Sequence, residues 1–106
     1  MLVASADSNL LDGASWRKHP RPVFEHSPAA RAYGAGHNSF FKSPDGTEDW
    51  IVYHGKESAE YTYRNRTARA QRFTWRGDGT PDFGQPLPAG APVRAPAGEK
   101  AVSSER

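Results

Sequence analysis

Cysteine is absent from this chain of 106 residues, and so are long hydrophobic runs. Without cysteine, disulfide bonds and thiolate metal sites are excluded. No apolar run approaches the roughly 18 residues that a membrane-spanning helix needs. The first residues, Met1–Ser5, lack a basic region followed by a long apolar one, so we do not predict a signal peptide there. The sequence gives no indication of the compartment in which the protein works.

A strong excess of one charge is also missing. The 14 lysine and arginine residues exceed the 12 aspartate and glutamate residues by two, and both kinds are scattered along the chain. Nucleic acid and membrane surfaces are usually bound by clustered basic residues, so neither is predicted as a partner.

Glycine and proline are well represented, with 10 and 9 residues, whereas only 36% of the chain is hydrophobic. This composition is typical of a turn-rich β structure with a modest core. The length allows one small domain, whose stability alone would be marginal because a small chain buries a limited share of its surface.

Apolar alternation predicts a small antiparallel sheet. An Asp45-Gly46 pair between the first two strands is a strong hairpin signal. In the second strand the alternation places Ile51 and Tyr53 on one face and, on the other, Trp50, Val52 and His54. The predicted strands are His37–Lys42, Asp49–His54, Thr67–Trp75 and a short one at Asp82–Gly84, with further strand at Met1–Ser5 and one helical turn at Ser27–Arg31. Residues 87–106 are rich in proline, alanine, glycine and serine, and we predict a disordered tail there.

Several segments, in this order and spacing, resemble glycoside hydrolase family 43. They are Leu10-Leu11-Asp12-Gly13-Ala14-Ser15-Trp16, Pro22-Val23-Phe24, Gly34-Ala35-Gly36-His37-Asn38-Ser39-Phe40, Ser43-Pro44-Asp45-Gly46-Thr47-Glu48-Asp49-Trp50, Tyr53-His54, the run 66–75, and 78–84. The resemblance covers Met1 to about Pro86. It is strongest to members that act as arabinofuranosidases, with β-xylosidases next.

The resemblance implies a five-bladed β-propeller with four-stranded blades. Residues 1–86 would form its C-terminal part, namely the last blade and part of the preceding one. Met1 corresponds to the interior of a family strand, so we expect the chain to be a fragment of a longer protein. Its missing N-terminal blades would then be a partner, together with an arabinose- or xylose-containing oligosaccharide.

The implied reaction is hydrolysis, with inversion, of α-L-arabinofuranosyl or β-D-xylosyl linkages in plant polysaccharides. The family uses an aspartate general base, a second aspartate that tunes and orients, and a glutamate general acid, all in earlier blades. No carboxylate of this chain lies in a matching motif, so we predict no catalytic residue here. Inverting hydrolysis needs two carboxyl groups held about 6.5–9.5 Å apart. We therefore expect the chain alone to be inactive.

His37 is the first candidate for the active centre. The matching histidine of the family lies at the channel end of the innermost strand and often contacts a calcium or similar ion there, directly or through water. Gly34 and Gly36 would let the backbone turn tightly before the strand. Calcium prefers oxygen ligands, so His37 would be one weak member of a largely aqueous shell. The alternative is a histidine satisfied by local hydrogen bonds.

Arg66 is the second candidate, since it lies where the family carries an arginine that contacts the substrate or the acid. A guanidinium can hold a carboxylate or sugar hydroxyls through paired hydrogen bonds. Arg64, Arg69 and Arg72 occupy the same stretch, so the assignment could shift among them. The alternative is a solvated strand edge whose arginines discourage edge pairing.

Other polar and aromatic residues are predicted to be structural. We expect His54 to belong to the scaffold and the large aromatics to pack between blades; these are Trp16, Trp50, Trp75, Phe40 and Phe73. Two other functions stay open at this point. The chain could be a non-catalytic carbohydrate-binding module, or a piece that completes a propeller made by another polypeptide. A remnant that does not fold is a third possibility.

Overall fold

The computed structural model describes residues 1–101, and these form an all-β protein. Its elements are β1 (Leu2–Val3), a 3₁₀ turn (Gly13–Ser15), β2 (Arg17–Lys18), a second 3₁₀ turn (Pro28–Ala30), β3 (Tyr33–Lys42), β4 (Asp49–Lys56), β5 (Thr67–Trp75) and β6 (Pro81–Asp82). Within residues 1–101 no helix has the length and apolar character needed to cross a membrane.

Strands β3 to β6 pair in chain order as one antiparallel sheet, while β1 and β2 form a separate two-stranded ribbon. This four-stranded meander is the unit of a β-propeller blade, as the sequence predicted. The β3–β4 turn is fixed locally, because the Asp45 carboxylate accepts hydrogen bonds from the Thr47 amide and from the hydroxyls of Thr47 and Ser43. Gly46 supplies the left-handed conformation that the turn requires, with φ of 76°.

The first long strand begins earlier than predicted, at Tyr33 rather than His37. Its pairing with β4 shifts register between Tyr33 and Gly36 and again between Gly36 and Ser39. The expectation that both glycines hinge the chain ahead of the strand is therefore wrong. Gly34 is left-handed, with φ of 60°, but the second left-handed residue is His37 itself, with φ of 50°. The glycines lie inside an irregular, bulged strand.

The core lies on one face of the sheet, where Ile51, Tyr53, Phe73 and Phe83 form a buried cluster. Phe24, from the segment before the sheet, packs edge-on against Tyr53 with ring centroids 4.8 Å apart. The predicted alternation along β4 is confirmed, because Ile51 and Tyr53 share this face.

The large aromatic residues divide into two groups. Trp50, stacked on Phe41, and Phe73 are only 3% and 7% exposed. The other three predicted inter-blade residues are much more exposed within the described chain: Trp16 at 39%, Phe40 at 57% and Trp75 at 57%. The aromatic surface of this sheet is thus only partly covered by residues 1–101.

The segment after β6 has neither helix nor strand through residue 101, but it contacts the sheet. Arg94 forms an ion pair with Glu48 at 2.6 Å. The amide of Asp45 donates to the Ala97 carbonyl at 3.2 Å. The tail predicted to be disordered covers 87–106, and residues 102–106 lie outside the described residues. How far disorder extends stays a prediction.

Candidate functional site

One end of the sheet carries both sequence-predicted site residues. Here β3 and β5 begin and β4 ends, as the pairs Gly36–His54 and Gly55–Thr67 show. His37 follows Gly36 on β3, and Arg66 directly precedes β5. Both side chains are exposed. The strand topology therefore places the two candidates at the same end of the blade.

His37 has an aromatic neighbour across the strand pair, since its ring centroid lies 6.4 Å from that of His54 at an interplanar angle of 76°. His54 is half-buried. The left-handed backbone of His37 is an uncommon conformation for a residue with a side chain and costs about 1–2 kcal/mol. Strained residues of this kind concentrate at functional sites, because the surrounding structure must hold them in place.

The described residues do not by themselves form a calcium site. Residues 1–101 contain no group of three or more histidine, aspartate or glutamate side chains placed to hold a metal ion. Calcium takes 6–8 oxygen ligands, as a rule including several carboxylates or carbonyls. His37 fits such an ion only as a single ligand, with the remaining ligands coming from elsewhere.

Arg66 is engaged with its own loop. Its Nε donates to the Tyr63 carbonyl at 2.9 Å, and its guanidinium carbon lies 5.6 Å from the centroid of the Tyr63 ring. Among the described residues no hydrogen bond links Arg66 to His37. The structure therefore places the two candidates at the same end of the sheet without a hydrogen bond between them.

Sequence reasoning gave no separate role to Arg69, which is the half-buried arginine of β5. Its Nε donates to the Thr67 hydroxyl at 3.3 Å and its Nη1 to the Leu87 carbonyl at 3.2 Å. Its Nη2 is buried and has no hydrogen-bond partner within residues 1–101. A Cβ at Gly55 would lie 3.0 Å from the guanidinium carbon, so the glycine makes room for this side chain. Arg69 pairs with Tyr53 across β4 and β5, which puts it on the core face. The signal in the sequence was the alternation that gives Arg69 the same face of the strand as Gln71 and Phe73.

Glu48 is the buried carboxylate among residues 1–101, with 7% exposure. It accepts hydrogen bonds from Arg94 Nη2 at 2.6 Å and from Trp50 Nε1 at 3.0 Å. The Arg94 hydrogen bond is the main reason that the pKa of Glu48 lies below its ordinary value, outweighing the opposing effect of burial. Glu48 is therefore held ionised within a structural network.

Three further carboxylates also have lowered pKa values. Hydrogen bonds from Lys42 and then Trp75 lower the pKa of Asp49. Turn hydrogen bonds lower the pKa values of Asp45 and Asp78. A general acid needs the opposite, a raised pKa that keeps its proton near neutral pH. None of these four groups has the electrostatic environment of a glycosidase acid.

Comparison with known proteins defines the class to which this blade belongs. The family model described as "Glycosyl hydrolases family 43" matches residues 1–81. The chain belongs to this family. The resemblance found in the sequence is confirmed.

Similar proteins carry arabinofuranosidase names. The chain is 42% identical to "Alpha-L-arabinofuranosidase 43" of Humicola insolens, over 98% of this chain and 23% of that protein. It is 46% identical to "Extracellular exo-alpha-(1->5)-L-arabinofuranosidase" of Streptomyces avermitilis, over 89% of this chain and 21% of that protein. The crystal structure of alpha-L-arabinofuranosidase from Lactobacillus brevis matches with a TM-score of 0.75 and 41% identity, covering 82% of this chain and 28% of that one. The chain thus spans between 21% and 28% of the length of these relatives.

Proposed function

We propose that this chain forms the last blade, and part of the preceding one, of an inverting glycosidase that releases α-L-arabinofuranosyl or β-D-xylosyl residues from plant polysaccharide. The observation that carries the proposal is the family match over residues 1–81. The arabinofuranosidase names of its relatives favour the arabinosyl linkage as the first substrate to test.

The 106 residues alone are proposed to be inactive. Inversion requires a protonated acid and an ionised base on opposite sides of the scissile bond. The pKa values of Asp45, Glu48, Asp49 and Asp78 are all lowered, and each of these carboxylates is held by structural hydrogen bonds. A lowered pKa does not suit the general acid, and the resemblance to the family places both the acid and the base in the other blades of the propeller.

Within such an assembly, His37 and Arg66 would face the active centre. His37 would order the channel centre, as a single ligand of a calcium ion held mainly by water and other blades. Arg66 would donate hydrogen bonds to the sugar or to the acid through its Nη1 and Nη2 groups, while its Nε keeps its hydrogen bond to the Tyr63 carbonyl.

The activity test compares the purified chain with a mixture. The second component is the Streptomyces avermitilis relative without the region that matches this chain. Hydrolysis of an aryl α-L-arabinofuranoside, and of the corresponding β-D-xyloside, is followed by release of the aryl group. We expect no turnover by either component alone and turnover by the mixture, with β-arabinose as the first product because the reaction inverts. Turnover by the chain alone would refute the proposal that the acid and the base lie outside these 106 residues.

The site residues are tested in the same mixture. His37→Ala and Arg66→Ala should each lower turnover by more than about threefold, since lost transition-state contacts commonly cost far more than that. Arg64→Ala is the matched comparison, because Arg64 is an exposed arginine of the same loop. A loss of turnover in Arg64→Ala but not in Arg66→Ala would move the assigned role to Arg64. Turnover within threefold of the unaltered chain would remove the role assigned to that residue.

A further inference from the structure

The β4–β5 loop, residues 57–66, displays two tyrosines that the proposed function does not use. Tyr61 is 96% exposed and Tyr63 is 79% exposed. Tyr61 makes no hydrogen bond or ring contact within the described residues. Single exposed apolar residues are common on protein surfaces. Two strongly exposed aromatic rings within three residues instead form a local apolar surface that is available for binding.

Hydrogen bonds fix the backbone of the loop that carries these rings. Lys56 Nζ donates to the carbonyls of Glu60 and Thr62, which ties the strand end to the loop. The Thr62 hydroxyl accepts from the Arg64 amide at 3.1 Å. A loop that is already ordered loses less conformational entropy when its side chains bind a ligand than a mobile loop does.

Arg66 supports one of the rings directly. Its guanidinium lies against the Tyr63 ring, 5.6 Å from the centroid, and its Nε donates to the carbonyl of the same residue. The contact engages one side of the ring, yet 79% of Tyr63 is still exposed. Tyr63 therefore has one supported side and one free side.

The position of the loop separates it from the surfaces at which blades pack. Blades of a propeller contact one another through sheet faces, which here carry Phe40 and Phe73. The loop lies instead at the end of the sheet that carries His37, as the pairing of Gly55 with Thr67 requires. Sheet-to-sheet packing therefore leaves the loop open at the end where the active centre is proposed.

We propose that Tyr61 and Tyr63 form a platform that binds the C–H face of a sugar ring in an arabinose- or xylose-containing oligosaccharide. Tyrosine suits this task because its ring offers a rigid apolar surface while its hydroxyl stays hydrated or bonds a sugar hydroxyl. The class of ligand rests on the proposed function. The platform would hold a sugar unit away from the scissile bond, and so would favour chains over single glycosides.

The test is a calorimetric titration of the full chain with a linear arabino-oligosaccharide of four units and with the matching xylo-oligosaccharide. The double variant Tyr61→Ala with Tyr63→Ala should bind at least about tenfold more weakly, as expected for two lost ring contacts. Tyr61→Phe with Tyr63→Phe should retain binding within about threefold, because the ring faces remain. Leu11→Ala, at a side chain that is 97% exposed, is the control for loss of exposed apolar surface. Circular dichroism spectra check that all variants keep the β fold.

Two results would overturn the platform: no binding of either oligosaccharide by the unaltered chain, or equal affinity for the double alanine variant. The outcome is independent of the activity test. Binding that depends on the tyrosines, together with an inactive mixture, would leave the platform intact and refute the proposed hydrolysis. If the mixture is active and the tyrosine variants leave its turnover of both polymer and aryl glycoside unchanged, the proposed hydrolysis stands and the platform is refuted.

Discussion

Gln71 joins the sheet to the segment that follows β6, and replacing it with leucine should destabilise the whole chain. Its Oε1 accepts from the Tyr53 hydroxyl at 2.7 Å and from the Leu87 amide at 3.2 Å. Its Nε2 donates to the carbonyls of Phe83 at 3.1 Å and Gln85 at 3.0 Å. The side-chain amide thus makes two hydrogen bonds through each of its polar atoms, while being only 6% exposed.

The size of the effect follows from these four hydrogen bonds. Each is worth about 1 kcal/mol net, which sets an upper figure of about 4 kcal/mol for their joint loss. Leu87 and Gln85 are exposed and can turn to water, whereas the Tyr53 ring is buried. We therefore expect Gln71→Leu to lower the free energy of unfolding by about 2–4 kcal/mol. Tyr53→Phe removes only one of the bonds and should cost about 1 kcal/mol.

Urea unfolding of the full chain, followed by tryptophan fluorescence, measures both variants. Cleavage by trypsin at Arg94 gives a second readout, since release of the segment at Leu87 should expose this bond sooner in Gln71→Leu. Ordinary surface substitutions change the unfolding free energy by about 0.5 kcal/mol or less. If Gln71→Leu stays within that range, the four hydrogen bonds of Gln71 contribute nothing to stability. Equal costs for the two variants would show that only the Tyr53 hydrogen bond matters.

Two other substitutions test the electrostatics and the packing of the same sheet. Arg94 holds the pKa of Glu48 below 4.5. That carboxylate therefore stabilises the fold above pH 4.5 and loses its effect as the pH falls through the folded-state pKa. Arg94→Ala should flatten the acid limb of a curve of stability against pH, and an unchanged slope would contradict the pairing. Gly55→Ala places a Cβ 3.0 Å from the Arg69 guanidinium, and should cost about 1–3 kcal/mol by overpacking. Gly77→Ala is the control, because a Cβ there meets nothing within 4 Å, and it should change the unfolding free energy by less than about 0.5 kcal/mol. Equal effects at the two glycines would disprove the packing argument.

The strands were predictable because their signals are local. Alternation over Asp49–His54 and Thr67–Trp75 matches the observed bounds of β4 to within two residues and those of β5 at both ends. The Asp45-Gly46 signal specifies its own turn through contacts between residues two apart. The start of β3 was not predictable in this way, because its two register shifts depend on pairing with β4.

The site was predictable only in part. The resemblance identified His37 and Arg66 as candidates, and the topology places both at one end of the sheet. The left-handed backbone of His37 and the contact of Arg66 with Tyr63 could not be inferred from the sequence. The half-buried arginine of β5 is Arg69, and the missing Cβ of Gly55 in the neighbouring strand leaves room for its guanidinium.

The sequence by itself determined the β class, the hairpin turn, the alternating faces and the family, since each depends on residue types at short spacing or on motifs in order. The tertiary structure alone decided which polar groups are satisfied. Glu48 meets Arg94 across 46 positions of the chain, and Gln71 meets Leu87 across 16. No local pattern records such pairs, because the chain brings them together only after the sheet has formed and its last segment has packed along β5.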